Sequence, residues 1–208
     1  MEKSVIWDLD GTLFDSYDVI VESIYAVFQE SGIQIPKAEI RNYALEFSIK
    51  SLFQKISGSY GIPTEHLQKR YGEISRGKYL EIKPMQNALQ LLKQLQLRGV
   101  EQYVFTHRGR TTIPVLEHLG MCGFFNEILT SESGFARKPA PDALHYLIRK
   151  YEMDPSQTFY VGDRSLDMEC AANAGIQGVL YAPENGVVCS CVAANFVVKN
   201  LLDILNII

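Results

Sequence analysis

Short apolar runs recur along the chain and alternate with stretches in which apolar residues return every three or four positions. Val5–Trp7, Tyr103–Phe105, Glu127–Leu129, Thr158–Val161 and Gly178–Tyr181 read as strands, with Phe196–Val198 a candidate sixth. Strands covered on both faces are apolar at successive positions rather than alternate ones, so these runs predict a buried parallel sheet. Between them lie amphipathic helical patterns. Residues 86–98 place Leu89, Leu92, Leu95 and Leu97 near one side, with Gly99 as the stop. Residues 111–119, 141–151 and 166–174 repeat the theme, and Gly120 and Gly175 close two of these helices. Strand and helix in alternation predict an α/β fold built on a doubly wound parallel sheet.

One segment breaks the alternation. Residues 15–82 contain no strand pattern and read as helical throughout. The first helix spans about Asp18 to Glu30, with Val21, Ile24, Tyr25 and Phe28 at helical spacing and Gly32 ending it. Pro36 and Pro63 each open a further helix from the first-turn position, where a missing N–H costs nothing. "IKPMQ" at 82–86 reads as the connector back to the sheet. The expected division is therefore 1–14 with 83–208 as the core and 15–82 as a helical insert after the first strand. Ligands of such sheets bind at the strand ends, so an insert there is expected to act as a lid. Tyr17, Arg41, Tyr43, Phe47 and Lys50 are its candidates for setting substrate choice.

Composition narrows the classes. The 208 residues are 47% hydrophobic and 21% charged, ordinary for a soluble globular protein. A formal charge of −4 argues against nucleic-acid binding as the main task. No apolar run approaches the ~20 residues that span a bilayer, and the first residues show no signal-peptide pattern. The cytoplasm is the expected compartment, and nothing calls for an obligate protein partner. Cys122, Cys170, Cys189 and Cys191 form no CxxC pair. Cys189 and Cys191 form a C-x-C that a metal could use, but reduced cytosolic thiols are the simpler expectation.

The chemistry starts at "SVIWDLDGTLFDS", residues 4–16, where an apolar run ends in two carboxylates one residue apart. On extended chain, residues i and i+2 point to the same side. Asp8 and Asp10 can thus face one site and attract a hard cation such as Mg²⁺, with Gly11 permitting a tight turn. A calcium EF-hand counted from Asp8 needs Gly at its sixth position and Glu at its twelfth, where Leu13 and Val19 stand. Calcium of that kind is excluded. Thr106 follows the second strand in "YVFTHRG", as a helix cap or a functional hydroxyl. Lys138 in "RKPAPD" precedes a helix that Pro139 or Pro141 can start, and is a solvated surface residue or a functional cation. Asp163 and Asp167 in "FYVGDRSLD" follow the fourth strand. The order of the strands brings all of them to one sheet edge.

This constellation resembles the haloacid dehalogenase-like hydrolase superfamily over essentially the whole chain. "DLDGTLFDS", "FTHRG", "RKPAPD" and "GDRSLD" are similar to its four motifs in order, and the insert is similar to the α-helical cap of the phosphoglycolate phosphatase and β-phosphoglucomutase subgroup. The resemblance implies a Rossmann-like core with a small α-helical cap, and a Mg²⁺-dependent phosphatase acting on a small phosphorylated metabolite, phosphoglycolate-like or a sugar phosphate. By the same resemblance Asp8 is the nucleophile that becomes an aspartyl phosphate, and Asp10 the general acid and base. Thr106 hydrogen-bonds the phosphoryl group, with Gly11 beside it, and Lys138 neutralises charge and holds Asp8. Asp8, the Asp10 carbonyl and Asp163 bind the metal, while Asp167 supports Lys138 or a metal-bound water. His107 stands where the family often has Asn; its ring touches substrate, caps the next helix or packs. Trp7 replaces the commoner Phe, and its indole N–H needs a partner if buried.

Two other classes compete. A phosphomutase would return the phosphoryl group to a sugar, and a regulatory protein would keep the fold without turnover. A phosphorylation-controlled receiver module shares the Asp, Thr and Lys residue types, but its phospho-accepting Asp follows the third strand and no helical insert follows the first.

Overall fold

The computed structural model describes residues 3–183 and 193–208. Within them the chain divides into two compact units, one of residues 3–15, 83–183 and 193–208 and one of residues 16–82. Cys189 and Cys191 lie outside the described residues.

In the larger unit the strands are β1 (Ser4–Trp7), the two-residue β2 (Phe14–Asp15) and β3 (Lys83–Pro84), β4 (Glu101–Phe105), β5 (Glu127–Leu129), β6 (Thr158–Gly162), β7 (Gln177–Tyr181) and β8 (Phe196–Val198). Six of these form one sheet in the order β5-β4-β1-β6-β7-β8. Every pairing in it is parallel, as the continuous apolar runs predict. Strand β1 lies in the interior of the sheet, and Val5, Ile6 and Trp7 have no exposed surface. Burial leaves the Trp7 indole N–H in need of an acceptor, and Gln102 Oε1 supplies it at 3.3 Å. The Gln102 amide donates in turn to the Leu92 carbonyl at 3.0 Å, which ties β4 to the helix before it. Strands β2 and β3 form a separate antiparallel ribbon, with Phe14 opposite Pro84 and Asp15 opposite Lys83. Two-residue strands carry no periodicity, so the sequence showed only a connector there.

The helical unit contains α1 (Tyr17–Glu30), α2 (Lys37–Glu46), α3 (Ile49–Tyr60) and α4 (Thr64–Gly77). Its core gathers Ile24, Val27, Phe28, Phe53 and Leu67. The Phe28 and Phe53 rings meet edge to face with centroids 6.2 Å apart, a geometry worth ~1 kcal/mol beyond area burial. Pro36 and Pro63 occupy the N-cap positions of α2 and α4, one residue earlier than expected. Helix α3 had no proline to mark it; Ser48 caps its start by accepting from the Ser51 N–H at 3.1 Å. Gly61 ends it at φ 69°, in the left-handed region.

Returning to the larger unit, helices α5 (Ala88–Leu97), α6 (Thr112–His118), α7 (Asp142–Lys150) and α8 (Ser165–Ala174) flank the sheet. The expected apolar face of α5 is corrected. It buries Ala88, Leu91, Leu92 and Leu95, whereas Leu89 and Leu97 are 39% and 77% exposed. A 3.6-residue period joins positions 88, 91, 92 and 95 on one side and turns 97 away. Among the described residues no helix is long and apolar enough to cross a membrane.

Candidate active site

The site forms at the carboxyl ends of β4, β1 and β6, three adjacent strands at the point where chain order reverses. Asp8 extends β1 by one residue, its N–H donating to the Val161 carbonyl at 2.9 Å. The chain then turns sharply. The N–H groups of Thr12, Leu13 and Phe14 all donate to the Leu9 carbonyl, at 3.1, 3.0 and 2.8 Å. Gly11 sits in that turn at φ 84°, a conformation that disfavours side chains. Thr12 Oγ1 donates to Asp163 Oδ1 at 3.3 Å, which links the turn to the end of β6.

Lys138 is the centre of the arrangement. Its side chain has no exposed surface, and its ammonium donates to Asp8 Oδ1 at 2.6 Å and to Asp167 Oδ1 at 2.7 Å. The rings of Phe105 and Tyr160 each lie 5.2 Å from the same nitrogen. The Tyr160 hydroxyl donates to the Phe105 carbonyl at 3.0 Å and reaches Asp167 Oδ1 at 3.3 Å. Asp167 comes from the first turn of α8, where its other oxygen accepts the Arg164 N–H at 3.1 Å. Gly162 makes this possible: a Cβ there would lie 2.4 Å from the Asp167 Cβ and Cγ.

Electrostatics follow from burial and charge. Burial disfavours the Asp8 carboxylate, and against the partly compensating Lys138 charge its pKa rises to about 6, with Asp167 adding to the rise. Burial also works against Asp167, but Lys138 and Arg164 together with its hydrogen bonds outweigh it and hold that carboxyl below its usual value. Lys138 keeps its proton because Asp167 and Asp8 outweigh its own desolvation.

The residues fit a divalent cation. Asp8, Asp163 and Asp167 bring carboxylate oxygens within 4.8 Å of one another. Asp8 Oδ2 is buried and has no hydrogen-bond partner among the described residues. A buried carboxylate oxygen without a partner is costly, and a hard cation with oxygen ligands would satisfy it. Three carboxylates against the Lys138 ammonium and the nearby Arg164 charge still leave net negative charge to be balanced.

Asp10 turns its side chain elsewhere. Its carboxylate is gripped by Arg108, whose Nε lies 3.1 Å from both oxygens and whose Nη2 lies 2.5 Å from Oδ1. The sequence reading passed over Arg108, although a basic residue two positions beyond Thr106 at an acidic sheet edge was a usable signal. Tyr160 and Gly162 were also missed, since a strand tyrosine and a strand-end glycine look structural. Thr106 Oγ1 accepts the Arg108 N–H at 3.1 Å. Helix α6 starts only at Thr112, so Thr106 does not cap it. Pro141, not Pro139, stands at the start of α7. His107 packs edge-on against Phe105, and its Nε2 accepts the Lys138 backbone N–H at 2.9 Å.

A curated phosphoglycolate phosphatase of Vibrio cholerae is 26% identical over 220 residues, covering 99% of this chain and 96% of that protein. The pyrophosphatase PpaX of Bacillus velezensis is 24% identical over 208 residues, covering 98% and 95%. Among solved structures, a haloacid dehalogenase-like family protein of Streptococcus pneumoniae superposes with a TM-score of 0.85 at 21% identity, covering 99% and 98%. A structure described as a predicted phosphoglycolate phosphatase of Haemophilus somnus reaches 0.87 at 22% identity, covering 99% and 97%. The sequence pattern of one family spans residues 5–181, from β1 and its two carboxylates to the end of β7, and by it the chain belongs to the haloacid dehalogenase-like hydrolases.

Proposed function

We propose that this phosphatase hydrolyses a small phosphorylated metabolite with Mg²⁺ through an aspartyl phosphate on Asp8. The observation that carries the proposal is Asp8 itself. It is a buried carboxylate with one oxygen on a buried lysine and the other without a hydrogen-bond partner among the described residues. The named relatives act on phosphoglycolate or are named pyrophosphatases, so anionic phosphate compounds are the substrates to try first.

Uncatalysed phosphate-monoester hydrolysis leaves an enzyme up to ~10²¹-fold to supply, most of it by positioning and charge compensation. In the first step an Asp8 oxygen bonds to phosphorus, the ester P–O bond breaks, and Asp10 gives its proton to the departing oxygen. In the second, Asp10 takes a proton from water as the water oxygen attacks phosphorus and Asp8 is released. Arg108 fixes the direction of the Asp10 carboxylate in the second step, where Asp10 acts as the base. Lys138 holds the nucleophile and offsets negative charge, and Thr106 and the turn at Gly11 receive phosphoryl oxygens. Asp8, Asp163 and the Asp10 carbonyl would hold Mg²⁺, with Asp167 alongside. When bound, the ion supplies positive charge that makes the approach of two anions tolerable. Residues 16–82 would serve as the cap that chooses the substrate.

The test is a magnesium-supplemented screen of phosphoglycolate, pyrophosphate and sugar phosphates with phosphate release as the readout. Asp8→Asn should lower turnover at least about a thousandfold while leaving the fold intact. Asp10→Asn should spare some phosphoryl transfer onto Asp8. An Asp8→Asn protein with full activity would end the covalent route. Exchanging residues 16–82 for those of a relative should change substrate preference; an unchanged preference would remove the cap assignment alone.

A further inference from the structure

Lys138 lies in the irregular stretch between β5 and α7, where most residues from 131 to 137 are exposed. A lysine on such a stretch has no helix or strand to fix its backbone. A backbone bond from the Ala140 N–H to the Arg137 carbonyl at 3.0 Å and three side-chain contacts do so instead. Asn173 Nδ2 donates to the Pro139 carbonyl at 2.9 Å, and Cys170 Sγ to the Ala140 carbonyl at 3.3 Å, both from α8. The third comes from the segment after β4, where the Lys138 N–H donates to His107 Nε2 at 2.9 Å, in the turn that also carries Thr106.

We propose that His107 is a positioning residue: as a neutral imidazole it accepts the Lys138 backbone N–H and thereby sets where the ammonium meets Asp8. The assignment rests on Asp8 as nucleophile, as argued above. It differs from a substrate-contacting role for the ring.

Three features support it. The ring is half-buried and stands edge-on to Phe105 at a centroid distance of 6.0 Å, which fixes its plane. Burial, with the Lys138, Arg137 and Arg164 charges around it, lowers its pKa to about 2, so the lone pair stays free to accept. Finally, the tethered residue is the one whose ammonium makes two short bonds to carboxylates, at 2.6 and 2.7 Å. With the ammonium pinned at two carboxylates, a shift of the Lys138 backbone has only the four-carbon stem to take it up before it strains the contact with Asp8. A misplaced catalytic group costs rate more than it costs affinity.

The geometry makes a chemical distinction that a packing role would not make. Gln at 107 places an acceptor oxygen where Nε2 now stands. Phe keeps the ring and its packing but offers no acceptor. His107→Gln should keep kcat within about threefold of the parent, and His107→Phe should lose about tenfold, with KM moving less than about twofold in either. If His107→Phe is not folded by circular dichroism, His107→Leu replaces it with the same expectations. Equal kcat in the Gln and Phe proteins would overturn the proposal. So would a rise in KM common to both, which would mark a substrate contact. Independently of turnover, the Lys138 amide proton should move upfield in the nitrogen–proton spectrum of the Phe protein and stay near its parent position in the Gln protein. An unmoved Lys138 amide also overturns the tether. Should Asp8→Asn stay fully active, the covalent reading fails, while the amide signal still decides whether His107 holds Lys138.

Discussion

Removing Lys138 and two of its carboxylate partners from water is expensive, and buried ion pairs of this kind seldom add net stability. The side chains of Lys138, Asp8 and Asp167 are 0%, 2% and 0% exposed, so the arrangement is kept at a cost that the chemistry proposed for Asp8 would explain. At this scale the most stringent position is Gly162. A methyl group there would fall 2.4 Å from Asp167 Cβ and 2.5 Å from Oδ2, inside any real contact. Gly162→Ala should therefore displace Asp167 and loosen Lys138. We expect a loss of about 1–3 kcal/mol in urea unfolding from overpacking, and a fall in kcat of at least about tenfold. A variant as stable and as active as the parent would show that Asp167 does not depend on this close approach.

Elements were legible where their pattern was long or their ends were marked. The buried strands of the sheet and the helices ended by Gly99, Gly120 and Gly175 followed from apolar runs and from glycines at φ 75°, 66° and 72°. What was illegible lacked one of those signals. Helix α3 begins at a serine in a run with no proline, and the β2–β3 ribbon is too short to show any period. In the site, the carboxylates could be read because they stand in spaced motifs at strand ends, and Lys138 because it stands just before a helix that a proline can start. The grip of Arg108 on Asp10 and the tether from His107 to Lys138 join residues about a hundred and about thirty positions apart, which no local pattern encodes. Helix α3 offers a test of capping as the missing signal. Ser48→Ala removes the acceptor for the Ser51 N–H and should cost about 1 kcal/mol, measured as a shift in the urea midpoint. No shift would mean that packing of Leu52, Phe53 and Ile56 alone starts the helix.

For the whole molecule, the helical unit interrupts a core whose own pieces are already joined. Chain leaves the core at Asp15 and returns at Lys83, and these two residues are directly paired across the β2–β3 ribbon. Joining them through an Asn-Gly turn in place of residues 16–82 should leave a core that melts cooperatively, because a two-residue hairpin suits such a pair. A product without a cooperative transition would show that the core needs the helical unit in order to fold. The ribbon also has a consequence for how proteins of this construction can diversify. Exit and return are one strand spacing apart, about 4.8 Å, so any module whose two ends lie that close can be spliced in with no new ring closed in the sheet. Change within such an insert and change at the strand ends of the core can then proceed on separate schedules.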